Sequence, residues 1–334
     1  MSTHESERKA HTGQTGRGRA GRERAGRAGP LRLLAADRTA SAACAVLLLV
    51  GLCAVLGPPL LGDLAREQNL HAVKLRPFST AEGWEFVLGS DSLGRSLLAR
   101  LVVAAGTTMS VAVPAVLLSL LAGSVWGMWA GFHRDWRETV SMRVADVILS
   151  FPSLLLAVVV LYVFDPSVAN IVAVLAIARI PVYLRTARAE SAELRGRLFV
   201  DAARTFGTRD RTIIRRHVAP VVLPTLLTVA AVDFCFVMLT ESSLSFLGIG
   251  IQPPDVSWGL MVAQGRQELR NAWWTAVFPG LAIIVTTGAA TVLAGWARIA
   301  GDPAQRWRLT MPERGRPGRR SAGADAVVAR RERT

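Results

Sequence analysis

The sequence predicts an all-α integral membrane protein with about six transmembrane helices. Hydrophobic residues make up 51% of the chain and charged residues only 19%, which is more apolar side chain than one soluble core of this size needs. The apolar residues form runs long enough to cross the roughly 30 Å hydrocarbon layer of a bilayer, which takes about 20 helical residues. Arginine is concentrated in alternate connections between these runs.

Four of the apolar runs contain no charge, and two contain charged residues. The uncharged runs are 41–61, 101–132, 147–164 and 272–297. Run 167–184 contains Arg179, and run 218–248 contains Asp233 and Glu241, yet both are otherwise apolar and long enough to span. A cleaved signal peptide is the alternative for the first run, but the length of the run and of the leader before it favours a retained span.

The positions of the basic residues predict the orientation of the helices. Arg and Lys crowd before the first run, between the second and third, between the fourth and fifth, and after the sixth. Because positively charged loops stay in the cytoplasm, both termini and the loops around Arg134 and Arg204 are expected there. Asp91 and Pro254 are expected outside, and the protein is expected in the cell membrane.

Both ends of the chain are basic, rich in Gly and poor in large apolar side chains. Residues 1–35 and 303–334 are therefore predicted to be disordered cytoplasmic tails that contact membrane lipid, and residues 36–302 are the predicted membrane domain. RNA binding by the tails is the alternative. The net charge of +14 flanks predicted spans, which favours a role in topology, so no nucleic-acid partner is expected.

The sequence contains no pattern that indicates a metal, a cofactor or a catalytic centre. Cys44, Cys53 and Cys235 lie inside predicted spans without CxxC spacing, and the five histidines are scattered. A phosphate-binding loop ends in GxxxxGK[ST], but the only lysines are Lys9 and Lys74. The chain is therefore expected to be neither an ATPase nor another enzyme.

The charged segment 190–220 contains two predicted short helices. One helical face is predicted from residues spaced i, i+3, i+4 and i+7, namely Phe199, Ala202, Ala203 and Phe206. Gly207 is expected to end this helix in a left-handed conformation. Thr208 is the expected cap of the second helix, and Pro220 its expected end. Such a segment either lies on the membrane or enters a groove on a partner, and the spacing leaves both alternatives open.

Two stretches of this segment resemble the EAA loop of bacterial ATP-binding-cassette (ABC) importer permeases. They are residues 201–207, Asp-Ala-Ala-Arg-Thr-Phe-Gly, and residues 217–220, His-Val-Ala-Pro. Asp201 replaces the usual Glu, and Ala219 the usual Leu. The resemblance implies an ATPase-coupling loop between the fourth and fifth helices, formed by Phe199, Asp201, Ala202, Ala203, Phe206, Gly207, His217 and Pro220.

Further motifs make the chain similar to the second permease of the dipeptide, oligopeptide and nickel group. They are GSDSLGR at 89–95, MRVAD at 142–146, ESSLSFLGIGIQPP at 241–254 and SWG at 257–259. Arg179 departs from the family, which usually has a small residue there. The resemblance implies a second homologous permease subunit, two cytoplasmic ATP-binding subunits and an extracytoplasmic solute-binding protein. Peptides are the implied cargo, with nickel or another small solute, or a non-transporting membrane scaffold, as alternatives.

The carboxylates inside the fifth run have two interpretations. Because a carboxylate inside a span usually faces a cavity or a partner, Asp233 and Glu241 either line a translocation path or form structural pairings. Pairing of Asp146 with Arg143, or of Glu241 with neighbouring backbone, would be of the second kind. Asp233 and Glu241 are eight residues apart, more than about 10 Å along a helix, so they do not form the paired carboxylates of a catalytic site.

Overall fold

A computed structural model describes residues 34–301 except 36, 80–82, 134 and 165–166. Apart from one antiparallel bridge between Ser90 and Ser96, the described residues form helices and loops. The α-helices are α1 (Arg38–Arg66), α2 (Leu97–Phe132), α3 (Trp136–Ser150), α4 (Ser153–Val163), α5 (Val168–Arg195), α6 (Leu198–Thr205), α7 (Asp210–Ile213), α8 (Ala219–Phe246), α9 (Trp258–Gly265) and α10 (Trp274–Gly301). A π-helical turn joins α7 to α8 at Ile214–Val218, and short 3₁₀ turns lie at Leu70–Ala72, Trp84–Phe86 and Arg266–Glu268.

Within the described residues, five helical stretches are long and apolar enough to cross a membrane: α1, α2, α5, the continuous stretch Asp210–Phe246, and α10. Helices α3 and α4 together make a sixth candidate, bent by 82°. The predicted third span, residues 147–164, is therefore divided between two helices, because Pro152 lacks the N–H that a continuous helix needs. Alone, the 11 residues of α4 extend only about 17 Å. The prediction of an all-α multi-pass membrane protein is confirmed, with five to six spans.

Helices α2 and α5 pack closely along a stripe of glycines. Gly123, Gly127 and Gly131 recur every four residues on the face of α2 that meets α5. A Cβ atom added to Gly123 would lie 2.7 Å from the Cβ of Tyr183, and one added to Gly127 would lie 2.8 Å from the Cβ of Ala187. Small residues at this spacing let two helix backbones approach each other in a membrane. The stripe therefore sets the distance between the two helices.

The loop between α1 and α2 folds over the N-terminal end of α2. The Ser90 hydroxyl accepts a hydrogen bond from the Leu75 N–H at 2.8 Å, and the Ser90 carbonyl accepts one from Trp274 Nε1 at 3.0 Å. Lys74 pairs with Glu268 at 2.6 Å. These contacts tie the loop to α10 and to the turn after α9. Since α2 has 36 residues, this end lies about 54 Å along the helix from Phe132.

By their contacts the described residues divide into two units: residues 42–295, and residues 34–41 with 296–301. In the first unit, the spanning helices carry apolar side chains that are 62–72% exposed, including Leu48, Val55, Leu121, Val125 and Ile284. Hydrocarbon solvates such a surface, whereas soluble proteins rarely expose large apolar patches. In the second unit, the described residues include the ends of α1 and α10. The predicted tails lie outside the described residues except for positions 34 and 35.

Candidate coupling segment and buried polar groups

Helix α6 ends at the residue that the sequence predicts. Gly207 has a φ of +75°, and two backbone hydrogen bonds close the helix in a Schellman motif. The Thr208 N–H donates to the Ala203 carbonyl at 3.1 Å, and the Gly207 N–H donates to the Arg204 carbonyl at 2.9 Å. A Cβ atom on Gly207 would have no neighbour within 4 Å. Glycine is therefore needed here for its backbone conformation and not for space.

The residues of α6 and its C-cap divide into an inner and an outer face. Val200 is fully buried and belongs to the hydrophobic core together with Ile213 and Val218. Phe206 is 88% exposed and Phe199 is 42% exposed. Ala202, like Asp201 and Gly207, is exposed as well, and the outer face is defined here as Phe199, Ala202 and Phe206. Ala203 is partly buried against the core, so it forms the edge between the two faces.

The chain after Gly207 differs from the prediction. Arg209, not Thr208, occupies the N-cap position of α7, because it is the Arg209 carbonyl that accepts the first hydrogen bonds of this helix, from the Thr212 N–H at 2.8 Å and the Ile213 N–H at 3.1 Å. Pro220 does not end the segment, because it lies in the first turn of α8, where the missing N–H is tolerated. The π turn before it lets the Ala219 N–H bond to the Ile214 carbonyl, and Asp210–Phe246 runs on as one stretch of 37 residues.

His217 lies on this π turn and extends the outer face of α6. Its side chain is exposed, and the centroid of its ring lies 6.3 Å from that of Phe199. The structure therefore brings together four residues of the predicted coupling loop, Phe199, Ala202, Phe206 and His217, on the exposed side of α6 and the π turn. Pro220 is exposed at the start of α8.

The segment is held against the C-terminal end of α2. The guanidinium carbon of Arg204 lies 4.9 Å from the centroid of the Phe132 ring, and Phe132 is only 2% exposed. Arg204 also pairs with Asp210 at 3.3 Å, which links α6 to α7. At the same end of the bundle, Arg188 of α5 donates from Nε to Glu138 of α3 at 2.7 Å. The outer face of α6 thus sits on a base built from several helices.

Asp233 lies in a polar network that joins α5 to α8. Its carboxylate accepts hydrogen bonds from the Arg179 guanidinium and from the Tyr183 hydroxyl, the latter at 2.9 Å. The Arg179 guanidinium carbon also lies 4.2 Å from the centroid of the Phe236 ring. The Asp233 side chain is 1% exposed and that of Arg179 is 19% exposed. An isolated charge in a span is costly. Arg179 and Asp233 reduce this cost for each other by forming an ion pair.

Glu241 is fully buried and is held by serine hydroxyls. Ser245 donates to Oε1 at 2.8 Å and Ser242 to Oε2 at 3.4 Å, while Ser245 in turn accepts the Ile251 N–H at 3.0 Å. The suggested bonding of Glu241 to backbone is corrected to these hydroxyls. The hydroxyls are available as donors, whereas the backbone N–H groups nearby already bond within the helix. A role of Asp233 and Glu241 in a translocation path stays a prediction.

The suggested pairing of Asp146 with Arg143 is wrong, because Asp146 pairs with Arg185 of α5. Arg143 and Asp146 are three residues apart on α3, but the carboxylate is directed across to the neighbouring helix. Both partners of the observed pair are about half exposed. The contact is therefore a peripheral link between α3 and α5.

The motif at 89–95 forms a tight turn that is organised by the carboxylate of Asp91, an arrangement that the sequence did not indicate. Asp91 Oδ1 accepts the N–H groups of Leu93 and Arg95, each at 2.9 Å. Its Oδ2 accepts Arg95 Nε at 2.7 Å and the guanidinium of Arg100. Gly94 has a φ of +71°, and a Cβ there would lie 2.7 Å from the Asn69 carbonyl carbon.

Arg100 is a candidate functional residue that the sequence analysis missed. It is 5% exposed and, besides its contact with Asp91, donates to Gln264 Oε1 at 2.9 Å. The predicted uncharged run begins at residue 101, so the sequence analysis left Arg100 just outside the span and gave it no role. Helix α2 in fact starts at Leu97, which turns Arg100 inward.

Comparison with known proteins agrees with this architecture. Residues 123–304 match the family described as "binding-protein-dependent transport system inner membrane component". A di/tripeptide transport system permease protein of Pseudomonas aeruginosa is 34% identical over 259 residues, which are 77% of this chain and 85% of that protein. Glutathione transport system permease proteins are 34% identical over 216 residues in Pectobacterium atrosepticum (65% of this chain, 72% of that protein) and 36% identical over 215 residues in Escherichia coli O1:K1 (64% and 71%). The chain therefore belongs to the binding-protein-dependent transport system inner membrane components and is a permease subunit of an ABC importer.

Proposed function

We propose that this permease forms part of a translocation path for di- or oligopeptides and that α6 couples the path to a separate ATP-binding subunit. The observation that carries the coupling role is the outer face of α6: two exposed aromatic rings and a small residue held on a buried base of Val200, Ile213 and Val218. A small residue between two rings lets another backbone approach closely, and each ring, if fully buried, stabilises a contact by about 1.5 to 3 kcal/mol.

The complete importer contains a second homologous permease subunit, two cytoplasmic ATP-binding subunits and an extracytoplasmic solute-binding protein. Membership of a family described as binding-protein-dependent supports this assembly. ATP is hydrolysed by the partner subunits, since Lys9 and Lys74, the only lysines, lie outside any phosphate-binding motif. The importer resides in the cell membrane with both termini of this chain and α6 in the cytoplasm, in line with the basic loops on that side.

Peptides are the proposed cargo because the relatives are named for them. The Pseudomonas protein is named for di- and tripeptides and the Pectobacterium protein for glutathione, itself a tripeptide. Nickel or another small solute is the alternative cargo that the sequence left open. Uptake of a radiolabelled dipeptide by cells that contain the complete importer, compared with cells lacking this chain, distinguishes the two. Uptake of ⁶³Ni²⁺ without dipeptide uptake would contradict the peptide proposal.

Co-purification tests the coupling role. The double variant Phe199→Ala, Phe206→Ala is expected to insert at normal levels but to retain less than about a tenth of the ATP-binding subunit, because two rings are lost from the contact. Tyr162→Ala is the matched control, because Tyr162 is also 88% exposed but lies on α4. If the segment instead lies on lipid, the double variant will recruit the ATP-binding subunit as well as the unaltered chain does.

A further inference from the structure

A cavity of about 400 Å³ lies between the C-terminal end of α1, the first turns of α2 and the loop before α9. Its apolar wall is made by Pro58, Ala65, Val103, Pro253 and Val256. Polar side chains, among them Thr107 and Gln264, face it from α2 and α9. Small-molecule sites commonly have about 300–1,000 Å³ and combine an apolar wall with a few placed polar groups. The cavity has the size and the lining of such a site.

The charged lining of this cavity is unbalanced. It consists of Arg66, Arg95 and Arg100 against a single carboxylate, Asp255, and we call it the arginine cavity. From behind, Asp91 holds Arg95 through Nε and Arg100 through its guanidinium. Among the residues that the structure describes, no acceptor bonds to the two terminal nitrogens of Arg95, and none bonds to the guanidinium of Arg66.

We propose that the arginine cavity binds the C-terminal carboxylate of the cargo peptide through Arg66 and Arg95. A guanidinium presents paired N–H groups in a plane that matches the two oxygens of a carboxylate. Asp91 already orients Arg95, which reduces the entropy lost on binding. The apolar wall then accepts the terminal side chain of the peptide. This inference rests on the proposed function and names the part of the cargo that the permease itself recognises.

A neighbouring cavity of about 470 Å³ shares Arg95, Arg100 and Gln264 but is more evenly charged. Its other charged residues are Asp91, Arg266 and Glu268, and Glu268 is paired with Lys74. The carboxylate is therefore assigned to the arginine cavity. Arg266, which lines only the neighbouring cavity, serves as the control.

The arginine cavity lies at the end of α2 that is opposite α6. With α6 on the cytoplasmic ATP-binding subunits, this end faces the exterior, where a binding protein delivers the cargo. A site for one end of the peptide at this entrance would orient the cargo before it enters the path.

The test measures peptide binding by the assembled importer without its binding protein, in nanodiscs of neutral phosphatidylcholine. The probes are radiolabelled alanyl-alanine and its C-terminal amide, in equilibrium dialysis. The unaltered importer is expected to bind the free dipeptide about tenfold more tightly than the amide. Arg66→Gln and Arg95→Gln are each expected to weaken binding of the free dipeptide about tenfold and to leave the amide unchanged. Arg266→Gln is expected to behave as the unaltered importer.

Three outcomes would overturn the inference: equal affinity for dipeptide and amide, no effect of Arg66→Gln, or no binding to the unaltered importer at millimolar peptide. Nanodiscs that contain phosphatidylglycerol add a further arm. If the anionic lipid abolishes dipeptide binding, the arginines hold a lipid headgroup and the inference fails; unchanged binding supports it. Peptide uptake with the binding protein present is measured in parallel. Absence of peptide uptake by the unaltered importer would contradict the proposed function. Peptide uptake by the unaltered importer, together with unchanged dipeptide binding by the Arg66 and Arg95 variants, would contradict the carboxylate site alone.

Discussion

Arg179 and Asp233 are each costly alone inside a membrane span, and together they form an ion pair that links two helices. In the sequence each interrupts an apolar run, and the two are 54 positions apart. In the structure they pair between α5 and α8, with Tyr183 as a third member. The sequence predicts that a carboxylate in a span has a partner, but it does not say which residue, because the pairing depends on how two distant helices are rotated.

Removal of one member of this pair should destabilise the protein. Asp233→Ala leaves the Arg179 charge without its partner, and breaking a buried pair typically costs about 3 to 5 kcal/mol. We expect a large fall in the melting temperature of the detergent-solubilised chain. Asp146→Ala breaks a pair whose side chains are about half exposed and should cost less than about 1 kcal/mol. Equal melting temperatures for the two variants would show that the Arg179–Asp233 pair contributes no more to stability than the half-exposed Asp146–Arg185 pair.

At the scale of elements, long apolar helices were predicted well and their interruptions poorly. Runs near α1, α2, α5, α8 and α10 have a length and composition that only a spanning helix satisfies. The break between α3 and α4, the cap of α7 and the passage through Pro220 were decided by individual backbone hydrogen bonds, made or missing. Those depend on which neighbouring carbonyl is within reach, which periodicity does not encode. The outer face of α6 was predictable because its spacing is local.

The glycine stripe of α2 should tolerate no side chain. Gly127→Ala would place a methyl group 2.8 Å from the Cβ of Ala187, and such overpacking costs about 1 to 3 kcal/mol. The expected result is a lower yield of monodisperse protein in fluorescence-detected size-exclusion chromatography. Gly288→Ala on α10 is the control, because no atom lies within 4 Å of the added Cβ. If both variants elute alike, α2 and α5 are not held at the distance described.

Gly207 should be replaceable by Asn but not by Val. Its φ of +75° is accessible to Asn, whereas a β-branched residue is strained there, by about 1 to 2 kcal/mol. The Cβ atom that either variant adds has no neighbour within 4 Å, so the two are compared on their backbone preference. We expect Gly207→Val to lose co-purification of the ATP-binding subunit and dipeptide uptake, and Gly207→Asn to keep both. Loss of recruitment in both variants would point to a contact at Gly207 itself.

For the whole molecule, the distribution of charge is as informative as the distribution of apolar residues. The net charge of +14 is concentrated in the two tails and in the connections that lie on the same side of the predicted topology, and the spanning helices expose apolar side chains. Sequence therefore sufficed for the class of protein and its predicted orientation. It did not reveal the arginine cavity, which is assembled from α1, α2 and the loop before α9.

The orientation is open to a direct test with reporter fusions. Alkaline phosphatase, which is active only outside the cytoplasm, should be inactive when fused after Arg204 and active when fused after Pro254. The reason is the retention of basic loops in the cytoplasm. A green fluorescent protein at the same positions should give the reverse pattern. Phosphatase activity at Arg204 would place α6 on the wrong side for any cytoplasmic partner.

The unbroken helical stretch Asp210–Phe246 has a mechanical consequence. Its 37 residues form a rod of about 55 Å that begins beside α6, carries Asp233 and Glu241, and ends at Phe246 in the wall of the cavity shared with Arg100. A displacement at one end of a rigid helix is transmitted to its other end. The π turn near its start is an irregular joint, of a type often found at functional sites. If α6 contacts an ATP-binding subunit as proposed, a tilt of α7 would displace Phe246 at the opposite end of the stretch, and the π turn is where the stretch would bend.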